Sequence, residues 1–232
     1  MVVNPKPSAA QEAYLGEAGR AYHEGKRAIP HAAVPWLIQT RARLFQSEIR
    51  STDSVFEWGC GFGWNLAGLH CFRRCGYDVA TQLEADVRAL GIEFLGQLEA
   101  LPSNSFQVIL CHHALEHVSD PLAALLGIRR LLARPGKLLL AVPFERERRY
   151  RRFDPAEPNH HLFSWNVQTL GNLLHVAGYG LRELGLRSYG YDRRAALIAV
   201  RLGLGERGFR LIRRVLQILL PLREITAVAT VE

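Results

Sequence analysis

The stretch that most constrains this chain is "SVFEWGCGFGWNL", residues 54–66. An apolar, β-prone run ends in an acid, Glu57, and glycines follow at 59, 61 and 63. A short apolar run stopped by glycines reads as a buried parallel strand feeding a turn. In an open parallel sheet that turn lies at the carboxyl edge, where ligands bind. Bare backbone there can approach a ligand closely and adopt positive φ. The spacing is G-x-G-x-G, not the G-x-G-x-x-G that aims a helix N-terminus at pyrophosphate. An acid two residues before the first glycine repels phosphate and welcomes a ligand with positive charge.

The rest of the chain supplies the matching elements. Residues 13–49 read as helical, broken near Pro30 and Pro35. "NLAGLHCFRRCG" reads as a helix ending at Gly76, "YDVATQL" as a second strand, and "EADVRAL" as a short helix. "GIEFLG", "FQVILC" and "KLLLAVPF" read as the third to fifth strands, with "PLAALLGIRRLLARPG" a helix between the last two. Strands alternating with helices argue for a parallel sheet covered on both faces. After a polar, arginine-rich connection come a helix with Ser164 as its expected cap, a sixth strand, and a basic amphipathic stretch. "EITAVATVE" alternates as a closing edge strand does. At 232 residues, 48% hydrophobic and 22% charged, one globular core with decorations is the expectation.

The order of motifs resembles class I S-adenosylmethionine-dependent methyltransferases over roughly residues 54–180. E-x-G-C-G-x-G resembles that family's first motif, and "LPSNSFQVILCHHALEHVSDP" its fourth-strand region. "RRLLARPGKLLLAVPF" and "HHLFSWNVQTLGNLLHVAGY" are similar to its fifth-strand unit and the helix after it. The resemblance implies an α/β, Rossmann-like, doubly wound fold. Its sheet would have seven mostly parallel strands with one antiparallel edge strand, and helices on both faces. It divides the chain into an N-terminal helical lid, 1–50, and a methyltransferase domain, 51–232. The domain would include an acceptor-side loop at 145–163 and the basic helix at 205–221.

The same resemblance implies S-adenosylmethionine as cofactor. Its sulfonium and ammonium suit the acid of the glycine turn. Glu57 would sit near the ammonium, with Gly59, Cys60, Gly61 and Gly63 packing against the cofactor. An acid at the end of the second strand would hold the ribose hydroxyls; Glu84 is the expected residue, with Asp86 behind it. Gln97 and Leu98 would line the adenine pocket, and Cys111 and His112 would pass under the methionine moiety. Tyr22 and His23 would close over the site. Arg149 and Arg152, in "ERERRYRR", would clamp a phosphate or carboxylate of the acceptor.

"HHALEH" contains H-x-x-E-H, the spacing of one class of zinc peptidases. It also resembles the E-x-x-E-H metal site of some quinone O-methyltransferases, with His113 in place of the first Glu. Following a strand, the motif is read instead as a loop held by Glu116 and His117, and no metal is expected. If the acceptor is a hydroxyl, a base should take its proton. His161, His160 and His113 are the candidates, because His titrates near neutral pH.

From residue 129 to 223 there are nineteen basic side chains and seven acidic ones, and the whole chain carries +7. Such a surface suits nucleic acid, anionic lipid or an anionic substrate. No RNA-binding module or aromatic-interleaved basic patch accompanies it, which argues against nucleic acid. The expected activity is methyl transfer to a small or carrier-linked metabolite: an anionic, sugar- or lipid-linked acceptor. An RNA methyltransferase and a non-catalytic partner of the same fold are the alternatives. Residues 207–221 gather arginines on one side and apolar residues on the other, so weak contact with an anionic membrane is a further expectation. Four cysteines and no signal-like or membrane-spanning run suggest a cytoplasmic protein with reduced thiols.

Overall fold

The computed structural model describes residues 14–15, 19, 25, 28–145, 152–154 and 159–232. Seven strands form one sheet: β1 (Ser54–Trp58), β2 (Arg73–Tyr77), β3 (Glu93–Phe94), β4 (Phe106–His112), β5 (Leu132–Pro143), β6 (Gly180–Tyr189) and β7 (Leu222–Val231). Their spatial order is β3-β2-β1-β4-β5-β7-β6. β1 runs parallel to β2 and β4, and β4 parallel to β5. β7 is antiparallel to both neighbours, so it stands one place in from the edge and β6 closes the sheet. The helices are α1 (Val34–Phe45), α2 (Glu84–Ala89), α3 (Pro121–Leu131), α4 (Val167–Val176), α5 (Asp192–Arg201) and α6 (Gly205–Leu219).

Side chains alternate across the strands with period two, and each set finds a cover. Phe56, Ile109, Leu138 and Leu140 face α3 and α4, meeting Leu125, Ile128, Leu170 and Leu174. Val55, Val108, Leu110 and Leu139 face the other way, onto Ala42 and Phe45 of α1, Val87 of α2, and Leu66 and Leu69. Hence α1 shares the core of the strand-bearing region. Strand order reverses at β1, between β2 and β4, and that switch point opens a crevice at the strands' carboxyl ends.

Two local expectations are corrected. Residues 61–68 form linked turns instead of a helix. Leu66 and Leu69 are buried as helical spacing predicts, but the backbone makes isolated bonds such as Gly63 N to Cys60 O and Leu69 N to Leu66 O. Gly68 presses on α1, where an added Cβ would come within 2.9 Å of Ala42 Cβ. Because no helix uses up this segment, β2 begins early and ends at Tyr77. The cap of α4 is Asn166, whose side chain accepts from Thr169 N while Thr169 Oγ1 accepts from Asn166 N, a capping box. The basic helix expected at 205–221 is present as α6, and a further helix, α5, precedes it and packs on it.

Candidate active site

A cavity of about 980 Å³ occupies the switch-point crevice. Its floor is the glycine turn. Gly59 N and Cys60 N both donate to Tyr77 O, at 2.8 and 2.9 Å, tying the end of β1 to the end of β2. Gly59 has φ +77°, and an added Cβ there would lie 2.5 Å from Ala114 Cβ in the loop after β4. Gly61 has φ +51° with nothing within 4 Å of its would-be Cβ, so the backbone there faces open cavity. Gly63 differs: its Cβ would strike Ile92 at 2.8 Å, so it serves packing away from the cavity.

Two acids frame this half. Asp78 follows β2 directly, lines the cavity, and accepts from Gly61 N at 2.7 Å and Ala80 N at 2.9 Å. Each of its oxygens keeps a second lone pair for a ligand hydroxyl. Glu57 lies fully buried beneath the turn. Asn65 donates to its Oε1 at 2.5 Å, and Arg41 donates to Asn65 Oδ1 at 3.3 Å. Glu57 Oε2 is buried with no hydrogen-bond partner among the described residues. Burial pushes the carboxyl up to about 8; the Asn65 bond and the Arg41 charge oppose this, and the Asp78 charge adds to it. A buried, half-satisfied carboxyl beside open backbone fits a cationic group such as an ammonium.

The other half is built by the ends of β4, β6 and β7. His113, at φ +53°, has its Nε2 2.8 Å from Glu224 Oε2. Glu224 is fully buried, and Arg187 holds its Oε1 through Nε at 2.8 Å and Nη2 at 2.7 Å. Burial alone would raise Glu224, but the hydrogen bond from His113 and the Arg187 guanidinium hold it down at about 2. An ionised Glu224 accepts, so His113 Nε2 carries the proton and Nδ1 is left to exchange one. His112 stacks on His113 with centroids 4.3 Å apart, and burial, then its neighbour His113, pushes its pKa well below the usual value, so it stays neutral. Tyr189 and Tyr191 complete this wall.

The cavity therefore gathers Gly59, Cys60, Gly61, Leu98, His112 and His113, with Glu57 underneath. Other candidates lie elsewhere. Glu84 starts α2 on the surface, paired with Arg88 at 2.8 Å; the acid at the strand's end is Asp78, because β2 stops six residues earlier than its expected end at Leu83. Asp86 shares that helix and is absent from the cavity wall. Gln97 is exposed off the cavity, and Cys111 points into the core among Phe56 and Ile109. His160 is exposed. His161 stands behind the wall, its ring centroid 4.9 Å from that of His117, which does line the cavity. Arg152 is exposed and off the cavity wall. Tyr22, His23 and Arg149 lie outside the described residues. Sequence reading missed Asp78, Arg41, Asn65, Arg187 and Glu224. Only Asp78 had a local signal: it stands 19 residues after Gly59, near the spacing at which dinucleotide folds place their ribose acid.

Residues 31–184, about two thirds of the chain, match the family model described as a methyltransferase domain. The chain belongs to this family. No curated protein matches the sequence. Solved structures of similar fold include several methyltransferases. One comes from the complex between the Haloferax volcanii Trm112 methyltransferase activator and its methyltransferase (16% identity, 93% of this chain and 98% of that one, TM-score 0.64). Another is an S-adenosylmethionine-dependent methyltransferase from Thermotoga maritima (17% identity, 92% and 97%, TM-score 0.61). A third is a methyltransferase from Bacillus halodurans (16% identity, 82% and 97%, TM-score 0.57). At these identities the likeness is one of fold, and it is the Rossmann-like class I methyltransferase fold. The family implies S-adenosylmethionine as methyl donor. No helix among the described residues is long and apolar enough to cross a membrane.

Proposed function

We propose that the protein transfers a methyl group from S-adenosylmethionine, bound over the glycine turn, to a hydroxyl of a small or carrier-linked acceptor in the half of the cavity walled by His113. The observation that carries this is the buried, orphaned Oε2 of Glu57 beside open backbone at Gly61. When bound, the cofactor supplies an electrophilic methyl carbon on a sulfonium. Glu57 and Asn65 would receive its ammonium, Arg41 its carboxylate, and Asp78 the ribose hydroxyls. Leu98 would lie against the adenine. In-line displacement needs alignment and a dry pocket, which the stacked His112 and the aromatic wall provide. The acceptor oxygen attacks the methyl carbon, the carbon–sulfur bond breaks, and the acceptor's proton passes to His113 Nδ1. Glu224, kept ionised by Arg187, fixes the His113 tautomer and stabilises the imidazolium that results. Calorimetric titration of S-adenosylmethionine tests the cofactor half. Labelled cofactor offered to metabolite, lipid and RNA fractions tests the acceptor; label in RNA alone would replace the proposed acceptor class.

One observation favours an acceptor presented at a lipid surface. Of α6's apolar residues only Phe209 is fully buried, while Leu211, Val215, Ile218 and Leu219 are exposed, with Leu197 and Leu202 of the α5 region beside them. Arg193, Arg194, Arg201, Arg207 and Arg214 belong to the same helix pair, against two acids, Asp192 and Glu206, that are already paired with Arg213 and Arg210. Arg193 and Arg213 also line the cavity. An apolar face rimmed by arginine is how interfacial helices hold anionic bilayers. Co-sedimentation with anionic vesicles at low salt, and its loss at high salt or with neutral vesicles, is the expected result. Equal, negligible pelleting in all conditions would return the acceptor to the soluble pool.

A further inference from the structure

A second histidine cluster lies at the cavity wall and plays no part in the reaction just described. The single turn Leu115–His117 follows β4 and presents Glu116 and His117. Glu116 O accepts from Leu162 N at 2.9 Å and from Phe163 N at 3.3 Å, which brings His161 alongside. His117 Nε2 lies 3.8 Å, and His161 Nε2 4.0 Å, from the same carboxylate oxygen, Oε1 of Glu116. That carboxylate is buried, and one ligating atom of each of the three residues lies within 4.8 Å of the others.

The outward-facing nitrogens decide what the inward ones carry. Tyr14 O–H donates to Asn159 O at 2.8 Å, since a carbonyl can only accept. Its hydroxyl oxygen, 2.6 Å from His117 Nδ1, then accepts the proton on Nδ1. Likewise His161 Nδ1 lies 2.7 Å from Glu145 Oε1, and a carboxylate accepts. In both rings the neutral tautomer thus holds its proton outside and turns the Nε2 lone pair toward the Glu116 carboxylate. Three electron-pair donors converge on one small volume. This is the pattern of metal-ligating histidines, whose second nitrogen is held by an oxygen partner.

We propose that Glu116, His117 and His161 form a divalent transition-metal site of zinc type. Two imidazoles and one carboxylate are a zinc ligand set. Ligand atoms about 2.1 Å from a tetrahedral ion stand about 3.4 Å apart, so the two histidine nitrogens, at 3.8 and 4.0 Å from the carboxylate oxygen and within 4.8 Å of each other, must draw inward to close on an ion. The neighbouring cluster His112, His113 and Glu224 also has its ligating atoms close together. There a proton already lies between His113 and Glu224, and Arg187 neutralises the remaining oxygen. The H-x-x-E-H motif is accordingly split: His113 turns to Glu224, and His161, distant in sequence, takes its place beside Glu116. The ion would fasten the loop after β4 to the connection after β5, at the edge of the acceptor half.

The test uses the full-length protein stripped with chelator and titrated with Zn2+ by calorimetry, then with Co2+ by visible absorption. One ion per chain is expected, with Kd in the micromolar range or below and the intense bands of four-coordinate cobalt. His161→Ala and Glu116→Gln should each weaken binding at least tenfold, and Tyr14→Phe by less. His113→Ala should leave it unchanged. Thermal melts and S-adenosylmethionine titrations on the same samples establish that each variant is folded and keep this result separate from the cofactor reading. Absence of stoichiometric binding, equal binding by wild type and His161→Ala, or loss in His113→Ala alone would overturn the proposal.

Discussion

The two halves of the cavity are built by opposite means. The cofactor half is made of residues close in sequence. Glu57, Gly59, Gly61 and Asn65 fall within nine residues, and Asp78 enters by one strand pairing, Trp58 with Tyr77. The acceptor half is made of residues brought together from afar. His113 meets Glu224 across 111 positions, and Arg187 reaches Glu224 across 37. The first is a local device of bare backbone and one unsatisfied carboxyl. The second is a chain of charges in which each group sets the state of the next. The difference teaches that one half of the cavity is encoded in a short motif, while the other is set by where the sheet's last strands land.

The comparison breaks most sharply at Gly61. Gly61→Arg fills the open floor, and cofactor binding should become undetectable by calorimetry. The αL backbone costs a side chain roughly 1–2 kcal/mol, so the melting curve should remain cooperative. Normal binding by this variant would move the cofactor elsewhere. On the acceptor side His113→Ala should lower kcat by about 10² to 10⁴-fold, the usual worth of a general base. Its Kd for S-adenosylmethionine should stay within about twofold of wild type. Glu224→Gln should give part of that loss, because the imidazolium formed on proton transfer loses the anion that stabilises it. A loss of cofactor affinity equal to the loss of rate would erase the division into halves. Next in size is Asp78→Asn, which should weaken cofactor binding about 10 to 100-fold, since hydrogen bonds to a charged group contribute roughly 1.5–3 kcal/mol. Glu84→Gln should change nothing; the reverse result would restore the acid of α2 to the site. The smallest effect belongs to the helix pair. Arg207→Gln or Arg214→Gln should each weaken binding to anionic vesicles about fivefold, near 1 kcal/mol per arginine, without altering cofactor affinity.

What could be seen in the sequence follows the same division. The strand–acid–glycine run marked β1 and its turn because burial on both faces demands an apolar run, and positive φ demands glycine. The alternation of strands and helices carried the parallel sheet. Second-strand register was not legible. "NLAGLHC" has helical apolar spacing, yet contact with α1 at Gly68 favours turns there, and the acid at the end of the second strand becomes Asp78 in place of Glu84. Nor could Glu224 be found: in "LREITAV" it looks like a solvent-facing acid of an alternating strand, and only the placement of β7 between β5 and β6 buries it beside His113. His161 was noticed for its type, but its partners Glu116 and Glu145 were beyond reach of local spacing.

The central claim is that the buried carboxyl of Glu57 receives a cation from the cofactor, and proton counting tests it most directly. Without ligand Glu57 titrates near 8, far above its unfolded value of 4.5, so at pH 7 the folded protein holds it protonated. Pairing with an ammonium requires the ionised form, so binding must expel that proton, and affinity should climb with pH up to about 8 before levelling. Titrations of S-adenosylmethionine at pH 7, in two buffers of different ionisation enthalpy, should show close to one proton released for wild type. Glu57→Gln should show almost none and bind more weakly. Tight binding with no proton release in wild type, or identical release in Glu57→Gln, would contradict the account.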